Sequence, residues 1–148
     1  MSPRQATLLP SEWAELDAPE PRKVDGPEEL FASQCRQFQL PPFERQVLFA
    51  KQLLGRRWAF DFAFRGYLVA VEIDGVAVKR LGGRLVVLGR HASIEGIRGD
   101  NEKLNAAALL GWTVLRFLQT DVKPRHAIET TMRVLAARGW NQTPESSR

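Results

Sequence analysis

The period of apolar positions changes several times along the chain, and each change predicts an element. "PPFERQVLFAKQLLG" opens on prolines and closes on glycine, with Phe43, Val47, Leu48 and Leu54 at helical spacing. That pattern predicts a helix over residues 42–54. "RRWAFDFAF" and "YLVAVEID" are rich in aromatic and β-branched residues and flank Arg65-Gly66, which predicts a hairpin. "GRLVVLG" predicts a short third strand. "IRGDNEKLNAAALLG" runs from a polar start through helix formers to a glycine stop, which predicts a helix over residues 98–110. "WTVLRFL" predicts a buried strand. "KPRHAIETTMRVLAARG" predicts an amphipathic helix with Ile128, Met132 and Leu135 on one face. The expected order is α-β-β-β-α-β-α, an α/β chain whose mixed central sheet is flanked by helices.

The ends carry weaker patterns. Residues 1–34 contain Pro3, Pro10, Pro19, Pro21 and Pro27 and little periodicity, which predicts an arm that is partly disordered or docked. Residues 35–140 form the expected single domain, and the polar "NQTPESSR" over 141–148 is expected to be a disordered tail.

Three carboxylates interrupt the otherwise apolar hairpin. With a two-residue turn at Arg65-Gly66, Phe64 faces Tyr67 and Asp61 faces Ala70, so Asp61 shares a face with Ala70, Glu72 and Asp74. Phe60, Phe62, Phe64, Val69, Val71 and Ile73 fall on the other face. Carboxylates this close repel, and one must take up a proton unless something compensates. A hard divalent cation such as Mg²⁺ compensates directly; pairing with arginines on a solvated edge is the plainer alternative. Glu44 adds a fourth acid in the first turn of the expected helix, where it also complements the helix N-terminus.

Composition narrows the chemistry. The 148 residues suffice for one domain with a core, and no apolar run approaches the roughly 20 residues of a membrane span. One cysteine, Cys35, excludes an intrachain disulfide and fits a reducing compartment such as the cytoplasm. Together with His91 and His126 it is too little for a Cys/His zinc site. Net charge is +4 and the pI about 9.7. Acids outnumber basic residues before residue 35. The positive charge gathers further on, at Arg56, Arg57, Lys79, Arg80, Arg84, Arg90 and Arg98 among others, the distribution expected of a nucleic-acid partner.

Glu44, "AFDFAF" and "AVEIDG", followed by "GRHASIEGIRGDNEKLNAAALLGWTVLRF", resemble the PD-(D/E)XK nuclease superfamily. The likeness is to its very-short-patch-repair-like and phage-type small endonuclease-domain members, over about residues 42–135. The resemblance implies a restriction-endonuclease-like core. It implies that Asp61 and Glu72 are metal ligands, joined by the carbonyl of Ile73 and by Asp74, with Mg²⁺ or Mn²⁺ as cofactor. Glu44 becomes a participant. Asp74 stands where the superfamily motif has lysine, which leaves the water-activating group to His91, in its glycine-led turn, or to Lys103.

The function expected from these residues is a Mg²⁺-dependent DNA endonuclease, structure- or mismatch-directed, acting in repair, recombination or phage DNA processing. Asp61 and Glu72 would hold the metal, and His91 or Lys103 would direct the water. Arg56, Arg57, Lys79, Arg80, Arg84, Arg90 and Arg98 would meet DNA phosphates. The oligomeric state stays open between a monomer and a homodimer. Two alternatives stand beside it. One is a catalytically inactive nucleic-acid-binding module on the same fold. The other is a small α/β scaffold whose acids pair with Arg56, Arg57 or Arg98.

Overall fold

A computed structural model describes residues 26–75, 77–88 and 93–142. Its elements in chain order are α1 (Pro27–Gln37), β1 (Glu44–Val47), α2 (Lys51–Leu54), β2 (Phe60–Phe64), β3 (Val69–Asp74), β4 (Ala77–Leu81), β5 (Arg84–Leu88), α3 (Ile94–Leu109), β6 (Thr113–Leu118) and α4 (His126–Ala137). Four strands form one mixed sheet in the order β1-β2-β3-β6. β1, β2 and β3 are antiparallel neighbours, and β6 lies parallel to β3. A parallel partner requires a crossover, and α3 supplies it. β4 and β5 form a separate two-stranded sheet. Among the described residues no helix is long and apolar enough to cross a membrane.

The sheet buries both faces. On one, Phe62, Phe64, Val69, Val71, Ile73 and Phe117 meet Phe31, Ala32 and Cys35 of α1 and Ala127, Ile128 and Leu135 of α4. On the other, Val47, Phe60, Ala63 and Ala70 meet Ala107 of α3, with Phe49, Trp112 and Val114 packed alongside. Phe62 is the aromatic hub: its ring lies edge-on to Phe31 at 4.9 Å and tilted to Phe43 at 5.7 Å. Such pairs add about 0.5–1.5 kcal/mol beyond the area they bury.

The expected helix over 42–54 is not there. Residues Glu44–Val47 form an edge strand, and only Lys51–Leu54 is helical. The reason is a twist at Gln46, whose φ is 51°. Phe43 reaches the α1 side of the sheet while Val47 reaches the α3 side. A strand that switches faces part-way imitates helical spacing. Phe60, the partner of Val47 in the ladder, is carried with it and stacks on Phe49 with ring centroids 3.9 Å apart. Phe60 therefore does not join Phe62 and Phe64, contrary to the alternation expected for β2.

The first helix among the described residues is α1, within the stretch expected to be an arm. Pro27 fits its first turn, Glu28 and Glu29 complement its N-terminus, and Phe31, Gln34 and Cys35 are buried at helical spacing. The domain boundary expected between residues 34 and 35 thus falls inside a helix. Residues 1–25 and 143–148 lie outside the described residues.

The turn between β2 and β3 is also longer than expected. Pairing ends at Phe64↔Val69, leaving four residues, which include a 3₁₀ turn at Arg65–Tyr67 and Leu68 at φ 52°. Two extra residues move the register by a whole period, so the parity of the pairing survives: Ala70 packs toward α3, and Lys103 of α3 meets Glu72. α3 starts earlier than expected, at Ile94, where Ser93 caps it by accepting the Gly96 amide at 3.0 Å.

Candidate active site

β2 begins where β3 ends, because the two run antiparallel. One step past the pair Phe62↔Val71, Asp61 comes opposite Glu72. The strands part here, and the Ile73 amide donates to Asp61 Oδ2 at 2.9 Å. Among the described residues Asp61 Oδ1 has only the Gln46 side-chain amide, at 3.5 Å. The carboxylate thus anchors the frayed end of the ladder with one oxygen and presents the other.

Glu72 is 6% exposed on a strand flanked on both sides. Its ladder partner on β6 is Arg116, and α3 lays Lys103 over it. The Lys103 ammonium donates to Glu72 Oε1. Arg116 Nε lies 3.9 Å from Glu72 Oε2, beyond hydrogen-bond range, and is buried without a hydrogen-bond partner. Burial pushes the Glu72 carboxyl up from its ordinary range, and the nearby Asp61 charge adds to the rise; Lys103 and Arg116 pull the other way.

Asp74 turns to a different partner. Arg116 Nη2 lies 3.0 Å and 3.2 Å from its two carboxylate oxygens, and 3.9 Å from Asp100 Oδ2 on α3. Burial works against the guanidinium charge, but Asp74, Glu72 and Asp100 outweigh it and hold Arg116 above its usual pKa. Lys103 also approaches the Phe60 ring, 5.9 Å from its centroid, so the face switch at Gln46 places an aromatic beside the ammonium.

The remaining candidates divide. Glu44 sits in β1 rather than in a helix, and its carboxylate pairs with Arg65 at 2.8 Å, toward the opposite end of the sheet. Ile73 is buried and contributes its amide to Asp61. Arg57, Arg84 and Arg98 are exposed. Arg56 lies 4.0 Å over the Trp58 ring and 3.6 Å from Glu102, so it stiffens an exposed basic-aromatic corner instead of neutralising the acids. Lys79 and Arg80 occupy consecutive positions of β4. Arg90 and His91 lie outside the described residues.

Glu28 is the acid that sequence reasoning passed over. It opens α1 on the side facing Asp61, and burial followed by the Asp61 charge pushes its carboxyl up. Arg45 holds it at 3.5 Å and Glu29 at 2.6 Å. The signal was present in "PEELFASQCRQF": proline, two acids, then buried positions at helical spacing.

Two acids, Asp61 and Glu72, with Lys103 on the second, are therefore what the fold brings together. Among the described residues no group of three or more His, Cys, Asp or Glu is arranged to hold a metal ion. Asp74 pairs with Arg116, and among the described residues the cations that meet Glu72 and Asp74 are Lys103 and Arg116, not Arg56, Arg57 or Arg98. No family model, curated protein or solved structure matches the chain.

Proposed function

We propose that this chain is a divalent-metal-dependent deoxyribonuclease whose working groups are Asp61, Glu72 and Lys103. The observation that carries the reading is the meeting of two carboxylates at the parted ends of β2 and β3, with a lysine from the crossover helix bonded to one of them. The strand and helix order supports it too. Without α2 and the β4–β5 hairpin, the chain runs α-β-β-β-α-β-α. The string is the one expected, though different elements fill it: α1 and β1 stand in for the expected helix over 42–54 and for the third strand "GRLVVLG", which is β5 of the separate two-stranded sheet.

The two acids fit a hard cation. Asp61 Oδ1 and Glu72 Oε2 are oxygen donors without a close hydrogen bond, and Mg²⁺ is commonly held by one or two carboxylates while keeping several waters. Such an ion supplies polarisation of a scissile phosphate and a bound water of lowered pKa. Lys103, fixed by Glu72, holds a proton-bearing nitrogen where it can orient a water or meet charge developing on a phosphate oxygen. Of the two groups expected to replace the motif lysine, Lys103 lies beside Glu72, and His91 is outside the described residues. Arg116 keeps Asp74 fixed to one side of this pair. Exposed Arg57, Arg84 and Arg98 supply positive charge for phosphate contact.

A second reading has its own observation. Lys103 and Arg116 already compensate Glu72, as they would in a nucleic-acid-binding module that performs no cleavage. Cleavage assays with Mg²⁺ on linear duplex, mismatched duplex, flap and four-way junction separate the two. The nuclease reading expects cleavage of at least one substrate, its loss in Asp61→Asn and Glu72→Gln, and DNA affinity within a few-fold of the parent. It also expects Mg²⁺ to raise the melting temperature of the parent but not of these variants. Undiminished cleavage by both variants would remove Asp61 and Glu72 from the mechanism.

A further inference from the structure

Among the described residues β4 and β5 pair with each other in a two-stranded sheet separate from the main one. An isolated two-stranded ribbon is marginal in water by itself. The ribbon begins three residues after Asp74 and ends before α3, the helix that carries Lys103. It therefore springs from the edge of the candidate site. Its turn is Gly82-Gly83, with φ of 57° and 78°, the tight connection that suits a twisted hairpin.

Sequence and register say what such a ribbon suits. From residue 76 to residue 94 there is no acid, while Lys79, Arg80 and Arg84 all lie within the ribbon. In the register Lys79 stands opposite Val86, Arg80 opposite Leu85 and Arg84 opposite Leu81, so positive positions occur on both strands. Leu81 is 50% exposed beside the glycine turn. Residues 77–88 contain no aromatic, so the ribbon offers no platform on which unstacked bases could lie. Two copies would oppose like charges across their faces. Duplex DNA is the matching partner: its major groove, about 12 Å wide, admits a two-stranded ribbon with strands about 4.8 Å apart.

We infer that the β4–β5 ribbon is a duplex-binding arm, lying in the major groove beside the scissile phosphate and directing the site to double-stranded flanks. This rests on the nucleic-acid part of the function proposed above, but it is tested by binding alone. Lys79→Ala/Arg80→Ala/Arg84→Ala is compared with the parent by fluorescence anisotropy, without divalent metal, over roughly 50–200 mM salt. The probes are a duplex and a single strand of equal length.

With three phosphate-binding side chains removed, the duplex salt slope should fall by about 2.7 and duplex affinity about tenfold or more, while single-strand affinity changes less than about threefold. A second variant replaces residues 77–88 by a short Gly-Ser link, which the pairing of Ala77 with Leu88 makes sterically simple. It should reproduce the same selective loss. The inference is overturned by an unchanged slope, by equal loss on both probes, or by a ribbon-dependent dimer whose duplex affinity survives ribbon removal. A failed nuclease reading would appear differently, as absent cleavage or cleavage indifferent to Asp61→Asn, with this binding result intact.

Discussion

Lys103→Met tests the electrostatics of the site through stability alone. The substitution keeps a long unbranched side chain in the middle of α3 and removes only the charge. What disappears is a charge-assisted hydrogen bond to a carboxylate that is 6% exposed, of a class worth about 1.5–3 kcal/mol. Removing one member of a fully buried pair costs more, about 3–5 kcal/mol. Here the Lys103 side chain retains 16% exposure, and Arg116 waits 3.9 Å from the other oxygen, so the lower figure applies, about 2 kcal/mol.

The pH dependence gives the sharper signature. Burial holds the folded Glu72 carboxyl above its ordinary value of 4.5, so the folded state binds this proton more tightly than the unfolded chain does. Stability from this group is greatest below 4.5 and falls as pH climbs through the folded value. Lys103 opposes that rise, so its loss extends the fall to higher pH. Urea melts of parent and variant should therefore nearly coincide around pH 4, where Glu72 is protonated in both. They should separate toward pH 8 by about 2 kcal/mol, or roughly 1 M in midpoint for a slope near 2 kcal/mol/M. An equal loss at both ends of the range would show that Lys103 acts by packing and that its charge does not support Glu72.

Two further outcomes test the core. Phe62→Ala removes the ring shared by Phe31, Phe43 and the Arg45 guanidinium, and should cost about 3–5 kcal/mol in chemical denaturation; a loss below about 1 kcal/mol would mean the two helical layers do not depend on it. Cys35 is 1% exposed and burial pushes its thiol well up, so its alkylation in native buffer should follow the global unfolding rate. Rapid modification of a protein that keeps its melting transition would show α1 opening by itself.

What could be read from sequence was the part of the fold with one regular period. β2, β3 and β6 are short apolar runs, and their existence and order in the chain follow from composition and flanking turns, although Phe60 departs from the alternation expected for β2. α3 and α4 follow from helical spacing and glycine stops. The failures share a cause: two structures can produce one pattern. β1 changes face at Gln46, so Phe43 and Val47 look like neighbours on a helix. α1 begins among prolines and acids, and its first turn reads as part of a polar arm until Phe31, Gln34 and Cys35 are placed against the sheet. Once α1 occupies the position assigned to residues 42–54, Glu28 rather than Glu44 becomes the helix acid near Asp61. The ion pairs were less accessible still. Nothing local to Arg116 reveals that a parallel register sets it opposite Glu72.

The departure at position 74 acquires a physical sense from that register. An acid in place of the motif lysine removes one positive charge from the site and adds a negative one. Arg116, opposite Glu72 on β6, takes both carboxylate oxygens of Asp74, at 3.0 Å and 3.2 Å, and so offsets the added charge. Lys103, arriving from α3, restores an ammonium beside Glu72 from another element. Among the described residues, the acids Asp61, Glu72 and Asp74 stand against the cations Lys103 and Arg116. With all of them ionised, about one negative charge is left over, and desolvation makes that excess costly. Protonation of Glu72 relieves it, and so would a bound cation. A cation shared by Asp61 and Glu72 would offset that excess, and this is the condition the proposed chemistry requires.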